Sequence, residues 1–362
     1  MLNGGEPQLT RELNRALNLE EYQRGEICLR SRPRYVLVEL TQGCNLKCPM
    51  CRADYIHSKE RLMDDGLFEK ASQLFATAEM VDLRGWGESL ILPDIVDRIQ
   101  AVSRSGARIR FVTNLAFRRD RVLDALVEYK CYVAVSMDTS DPELFALLRG
   151  GASLAQVSRN LDRLMAGRRD SDDGAQVYFT TTVQRPALSG LHRLIEFAAE
   201  KGVREIRMFT VTGQDDTFLS LQPSPKQVDE MLSTAASLAK ARGVRLVVGS
   251  RLGSMPENPS GGPACIHPWA YATVAYDGCV GFCDHLIGPK SSFYHVGNLG
   301  ENSFEEIWNG AEWVELRREH LARRDPRAAH FEECSWCYGH RYVDFEHLFD
   351  PDALNHIKQL AP

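Results

Sequence analysis

The sequence predicts an α/β chain: an open, partial barrel of six βα units, then a small C-terminal domain built from a β-hairpin and a helix. Three observations predict it. Strand-like and helix-like segments alternate six times between residues 35 and 211, the pattern of a parallel sheet with helices outside it. The strand segments are short, apolar and rich in β-branched residues, as strands buried on both faces are. A stretch dense in Gly, Pro and Ser at 253–264 then separates this region from one of different texture, with a hairpin turn signal at Asp277-Gly278.

A polar helical extension over residues 8–24 comes first. "YVLVEL" (35–40) is the first strand and runs into a cysteine-rich loop. "GLFEKASQLFATA" (66–78) has helical spacing, and "MVDLRG" (80–85) is the second strand. "LPDIVDRIQAVSRSG" (92–106) has a Pro-Asp start and a Gly stop, as a helix needs. Strands at 109–114, 131–138, 176–183 and 205–211 alternate with helices at 121–129, 154–167 and 191–202. A helix at 225–243 leads to "VRLVV" (244–248), and a helix over 303–323 leads into "CSWC". Six βα units are fewer than the eight of a closed barrel, and the loops at the strand C-terminal ends should carry the chemistry. The expected divisions are 1–34 (helical extension), 35–215 (partial barrel), 216–262 (linking helix, strand and linker), 263–345 (small C-terminal domain) and 346–362 (tail).

Composition narrows the function classes. The 362 residues are 44% hydrophobic, enough for a large core and a second small one. No apolar run approaches the roughly 18 residues of a membrane span, and the polar, acidic start lacks the core of a signal peptide. A net charge of −6, without a basic stripe studded with aromatics, argues against nucleic acid as the partner. The ten cysteines are clustered, which in a cytoplasmic chain points to metal ligands or catalysis before disulfides. With no apolar span or signal-peptide core read in the sequence, a cytoplasmic location is expected.

"LTQGCNLKCPMCRA" (40–53) places Cys44, Cys48 and Cys51 at C-x3-C-x2-C spacing. Three thiolates are one short of a closed zinc or four-iron site, so an iron held here keeps open coordination positions. A zinc site borrowing a distant fourth ligand is the alternative. The motif directly after a first strand resembles the radical S-adenosylmethionine (SAM) superfamily. That resemblance implies a [4Fe–4S] cluster whose free iron chelates SAM, and a 5′-deoxyadenosyl radical that abstracts hydrogen from a substrate.

Further residues fall where this resemblance expects them. Gly85, Gly87 and Glu88 in "LRGWGES" resemble the family's glycine–glutamate segment that contacts the methionine amino group, where glycine permits close backbone approach. Asn114 closes "VTN" at the third strand's end. Ser136 and Asp138 in "VSMD" fall where relatives place ribose-binding groups, and Arg149 matches an arginine that holds the SAM carboxylate. Met50 stands where an aromatic residue often packs near adenine, and Thr139 where glycine is frequent.

Downstream, Cys265, Cys283, Cys334 and Cys337 supply four soft ligands, suitable for zinc or a second cluster. "CIHPWAYATVAYDGCVGFC", "GNLGENSFEEIWN" and "CSWC" resemble the SPASM/twitch domains of the superfamily, which hold auxiliary iron–sulfur clusters. With no cysteine after 337, the pattern is similar to the twitch form, with one fully ligated [4Fe–4S] cluster. It resembles that of 2-deoxy-scyllo-inosamine dehydrogenases of aminoglycoside biosynthesis, where the auxiliary cluster accepts the substrate electron.

The resemblance implies a small polar substrate, a sugar or aminocyclitol, because the 34 residues before the first strand are too few for a leader-peptide domain. Dehydrogenation at an alcohol carbon is the leading reaction, with a flavodoxin- or ferredoxin-type electron donor. Arg185, Asp284 and His285 are candidate groups near the substrate. Cys279 is the candidate hydrogen donor if the reaction is an epimerisation, since it shares a hairpin face with Cys283. Decarboxylation of a sugar acid, peptide modification, and a non-enzymatic redox-sensing role complete the alternatives.

Overall fold

The computed structural model describes residues 9–51, 61–166, 175–211, 221–249, 265–283, 295–322 and 357–359. Helix α1 (Arg11–Arg24) starts at Thr10, whose hydroxyl accepts the Leu13 N–H, and stops at Gly25 in the left-handed region. Then follow β1 (Tyr35–Val38), α2 (Asp65–Ser72), β2 (Met80–Asp82), α3 (Ile95–Ser105), β3 (Arg108–Thr113), α4 (Asp120–Glu128) and β4 (Tyr132–Ser136). The second half holds α5 (Pro142–Leu148), α6 (Leu154–Ala166), β5 (Gln176–Val183), α7 (Leu191–Glu200), β6 (Glu205–Thr210), α8 (Pro225–Arg242) and β7 (Arg245–Gly249). Strands β1 to β7 pair in chain order and all parallel, as the alternation predicts.

The C-terminal region joins this sheet. After α9 (His267–Ala270), β8 (Tyr271–Val274) pairs in parallel with β1, Tyr35 opposite Tyr271. Strands β9 (Cys279–Gly281) and β10 (Gly297–Asn298) continue outward antiparallel, and β11 (Ile357–Gln359) closes the far edge against β7. The hairpin turn sits at Asp277-Gly278, with Gly278 at φ +84°.

The helix expected over 303–323 is two helices, α10 (Phe304–Trp308) and α11 (Ala311–Ala322). Gly310 interrupts them, and a Cβ there would stand 2.7 Å from the Glu306 carbonyl oxygen. The break lets Trp308 and Trp313 meet edge to face at 4.5 Å, beneath the Arg317 guanidinium. Helix α5 escaped the sequence reading. It is short, and Asp141 caps it through the Glu143 and Leu144 N–H groups ahead of Pro142.

Among the described residues, one face of the sheet is mostly apolar. Val36, Val81, Ile109, Phe111, Val133, Val135, Phe179 and Ile206 face the helices and are buried. The alternate residues line the concave face, and there Tyr35, Asp82, Arg110, Tyr178 and Arg207 are equally buried. Asp82 accepts from Tyr35 Oη at 2.5 Å and Arg84 Nε at 2.6 Å, while Arg110 donates to Tyr178 Oη at 2.9 Å. Arg207 lies 4.1 Å over the Tyr178 ring and pairs with Glu205, which also binds Arg245. The interior of the sheet is thus a network of charges, hydrogen-bonded in the main as burial requires, with Asp82 Oδ1 left without a hydrogen-bond partner among the described residues. Among the described residues, no helix is long and apolar enough to cross a membrane.

Candidate active site

The loop after β1 carries Cys44, Cys48 and Cys51, all partly exposed thiols. It is held on three sides. From the segment after β2, Gly87 N–H donates to the Thr41 carbonyl at 3.2 Å and Glu88 N–H to the Gly43 carbonyl at 2.9 Å. A Cβ on Gly87 would come within 2.5 Å of both carbonyl oxygens, 41 and 43. From the end of α5, Gly150 at φ +56° lies so close to the Lys47 backbone that a Cβ would collide with it. From the end of β3, Asn114 Nδ2 donates to Asn45 Oδ1 at 2.9 Å, and Asn45 in turn donates to the Ala116 carbonyl.

Several donors aim at sulfur. Leu46 N–H lies 3.4 Å and Asn114 Nδ2 3.7 Å from Cys44 Sγ, and the Arg149 cation acts on Cys48. Burial pushes the Cys44 thiol up to about 12 and raises Cys48 as well. Such thiols ionise when a metal binds them. Three soft donors on one loop, with hydrogen-bond donors and the Arg149 cation around them, fit a cluster with one open iron.

The polar residues predicted for SAM gather beside this loop. Asp138 is buried and accepts from Arg149 Nη2 at 2.7 Å, Thr182 N–H at 2.8 Å and Gln184 Nε2 at 3.2 Å. Burial raises the Asp138 pKa; for Arg149 burial opposes the charge, but Asp138 and the nearby thiols hold it and raise its pKa. Arg149 Nε and Gln184 Oε1 are buried with no hydrogen-bond partner among the described residues. Such orphaned donors and acceptors beside the loop fit a polar ligand with a carboxylate and hydroxyls. Ser136, at the end of β4, points to the same concave face as Asp138 and is half-buried. Met50 is half-buried on the loop itself.

Glu88 turns inward. Its carboxylate accepts from Asn114 N–H at 2.7 Å, Thr113 Oγ1 at 2.9 Å and Leu90 N–H at 3.2 Å, and burial lifts it to about 7. It therefore welds the segment after β2 to β3. Glu39, which the sequence reading passed over, does the same for β1: it accepts the Trp86 N–H at 2.9 Å and fills the space a Gly85 side chain would need. Burial lifts it too, to about 7. Asn45, Gly150 and Gln184 were likewise missed. Only Gly150, in "RGG" after a helix, carried a legible signal.

Cys265 and Cys283 approach the other end of the strands. Cys283 is buried, 3.3 Å from His267 Nδ1, and His267 packs on Tyr271, the residue opposite Tyr35 at the start of β1. Cys265 is partly exposed, two residues before His267. At about 3.3 Å per residue, the stretch from Tyr35 to Leu40 separates this end from the three-cysteine loop by roughly 17 Å. Cys279 begins β9, four residues from Cys283; its Sγ accepts from Asn298 Nδ2 at 3.6 Å, and burial and Asp277 push its thiol up to about 11. Arg185, just past β5, is exposed and donates to the Gln222 carbonyl. Asp284, His285, Cys334 and Cys337 lie outside the described residues.

Residues 38–183 match the model of the radical SAM superfamily, and residues 265–338 match that of SPASM, an iron–sulfur cluster-binding domain. The chain is 23% identical over 342 residues to an AdoMet-dependent heme synthase of Methanosarcina barkeri (strain Fusaro / DSM 804), covering 88% of this chain and 94% of that protein. It is 26% identical over 183 residues to a PqqA peptide cyclase of Ruegeria pomeroyi (strain ATCC 700808 / DSM 15171 / DSS-3), covering 49% of this chain and 47% of that one. The fold is similar to that of Streptococcus suis SuiB bound to precursor peptide SuiA, at a TM-score of 0.65 and 13% identity, over 88% of this chain and 74% of SuiB.

Proposed function

Because this chain is a radical SAM enzyme carrying a SPASM iron–sulfur domain, we propose that it abstracts hydrogen from a polar substrate bound on the concave face and oxidises it at an alcohol carbon. The observation that carries this reading is the placement of the three-cysteine loop and of Cys265 and Cys283 at opposite ends of the strands, with a buried polar network between them. When bound, SAM and the cluster at Cys44, Cys48 and Cys51 supply a 5′-deoxyadenosyl radical, and an auxiliary cluster at Cys265, Cys283, Cys334 and Cys337 supplies an electron acceptor.

The chain's own residues do the rest. Arg149 offers its guanidinium to the SAM carboxylate while Asp138 fixes its orientation. Met50 would pack beside the adenine, and Ser136, Asn114 and the backbone at Gly85, Gly87 and Glu88 would complete the cradle. Among the described residues, Arg84, Arg110, Arg207 and Arg245 gather on the concave face around Asp82 and Glu205. Such a lining suits a substrate rich in hydrogen-accepting groups such as hydroxyls. A flavodoxin- or ferredoxin-type protein would deliver the first electron.

Peptide modification is the second reading, favoured by the match to a peptide cyclase over 183 residues. One experiment separates the two. 2-Deoxy-scyllo-inosamine deuterated at its carbinol carbons and a deuterated PqqA peptide are each incubated with reconstituted enzyme, SAM and dithionite. Deuterium in 5′-deoxyadenosine from the aminocyclitol supports the first reading. Deuterium only from the peptide overturns it.

A further inference from the structure

We propose that His267 sets the reduction potential of the auxiliary cluster by donating a hydrogen bond from Nδ1–H to the Cys283 thiolate. The proposal rests on the reading of Cys283 as a cluster ligand and adds to it a residue that is not itself a ligand. His267 Nδ1 stands 3.3 Å from Cys283 Sγ, and both side chains are buried. A cluster-bound thiolate only accepts hydrogen bonds, so the imidazole nitrogen facing it must carry the proton. The distance is that of an N–H···S hydrogen bond, too short for two ligands on different irons of one cluster.

The ring is fixed in place. Pro268 and Trp269 continue the short helix α9 from His267, and Trp269 Nε1 anchors that helix to the Glu26 carbonyl at 2.7 Å. Behind the imidazole, the Tyr271 ring packs at 4.1 Å, itself stacked at 4.6 Å on Tyr35, whose hydroxyl is tied to Asp82 and Arg110. The donor is therefore preorganised by the same network that forms the floor of the concave face. Hydrogen bonds to cluster sulfurs stabilise the more negative, reduced state and raise the potential. His267 thus makes the downstream site a better acceptor for an electron arriving from that face.

The test isolates the auxiliary cluster in a Cys44→Ala/Cys48→Ala/Cys51→Ala background and measures its midpoint potential by EPR-monitored redox titration. His267→Phe keeps a ring against Tyr271 and removes the donor; His267→Gln restores an N–H. The expected result is a roughly tenfold loss in the reduction equilibrium for His267→Phe, about 59 mV for one electron, mostly recovered in His267→Gln. Equal potentials with His267 in place and in His267→Phe overturn the assignment. A readout without substitution guards against misfolding. Protein labelled with 15N-histidine should show a nitrogen coupling in the pulsed EPR spectrum of the reduced cluster, and its absence also overturns the proposal. If the triple-alanine background binds no iron, the downstream cysteines hold no cluster, and the broader reading fails with it. If it binds about four irons and His267→Phe shifts nothing, only the role of His267 fails.

Discussion

Arg149 Nη2 donates to Asp138 Oδ1 at 2.7 Å, with both side chains buried beside Cys48. One residue ends helix α5 and the other follows β4, so the pair closes one βα unit beside the cysteine loop, while the Asp138 bonds to Thr182 and Gln184 reach the next. Removing the guanidinium strands a buried carboxylate that retains only Thr182 and Gln184 as donors. Arg149→Met should therefore cost about 3 kcal/mol of stability, read by urea unfolding of the iron-free protein. SAM affinity should fall as well. Arg149→Lys keeps the charge but not the fork, and should land between the two.

Gly150 and Gly151 make a matched pair. Both have positive φ, at +56° and +89°, but only at Gly150 would a Cβ strike the Lys47 backbone; at Gly151 nothing lies within 4 Å. Gly151→Ala should cost about 1–2 kcal/mol in backbone strain and leave iron content unchanged. Gly150→Ala should push the loop between Cys44 and Cys48 aside, and iron retained after reconstitution should drop. Iron analysis of the two variants side by side checks this.

Glu39 makes the iron-free protein pH-sensitive. Burial lifts its carboxyl to about 7, above the usual carboxylate range of an unfolded chain. Between about pH 4.5 and 7 the unfolded state has lost this proton and the folded state keeps it, so stability falls as pH rises through that window. The slope contributed is on the order of 1 kcal/mol per pH unit. Glu39→Gln still offers the Trp86 N–H an acceptor and should flatten that part of the profile, measured by urea midpoints from about pH 4.5 to 8.

Cys279→Ala distinguishes oxidation from epimerisation. The thiol, pushed up to about 11, stays protonated at neutral pH and receives the Asn298 amide. Under the oxidation reading the variant keeps its product and loses less than about threefold in rate, a change of under roughly 1 kcal/mol. An enzyme using Cys279 as hydrogen donor would stall or release a different product in the same chromatographic assay.

Much of the fold was legible because each parallel strand announces itself by a short β-branched run and each helix by its periodicity. The three-cysteine loop was legible because its ligands sit within eight consecutive residues, 44–51. What escaped depends on residues far apart in the chain. Tyr35 pairs with Tyr271 across more than 200 residues, and no local pattern told that the C-terminal hairpin would extend the barrel sheet. The polar concave face was hidden because Asp82 and Arg110 interrupt strands that otherwise read as apolar, and only their mutual contacts with Tyr35 make their burial tolerable. Glu39 and His267 looked like ordinary polar residues until their partners, Trp86 and Cys283, arrived from elsewhere in the sequence.

The most direct test of the account is the yield of 5′-deoxyadenosine from anaerobically reconstituted protein given SAM and dithionite, compared with Cys48→Ala. The account predicts its formation by the unsubstituted chain and its loss in the variant. No 5′-deoxyadenosine from an unsubstituted protein that holds iron, or equal amounts from both proteins, would contradict it.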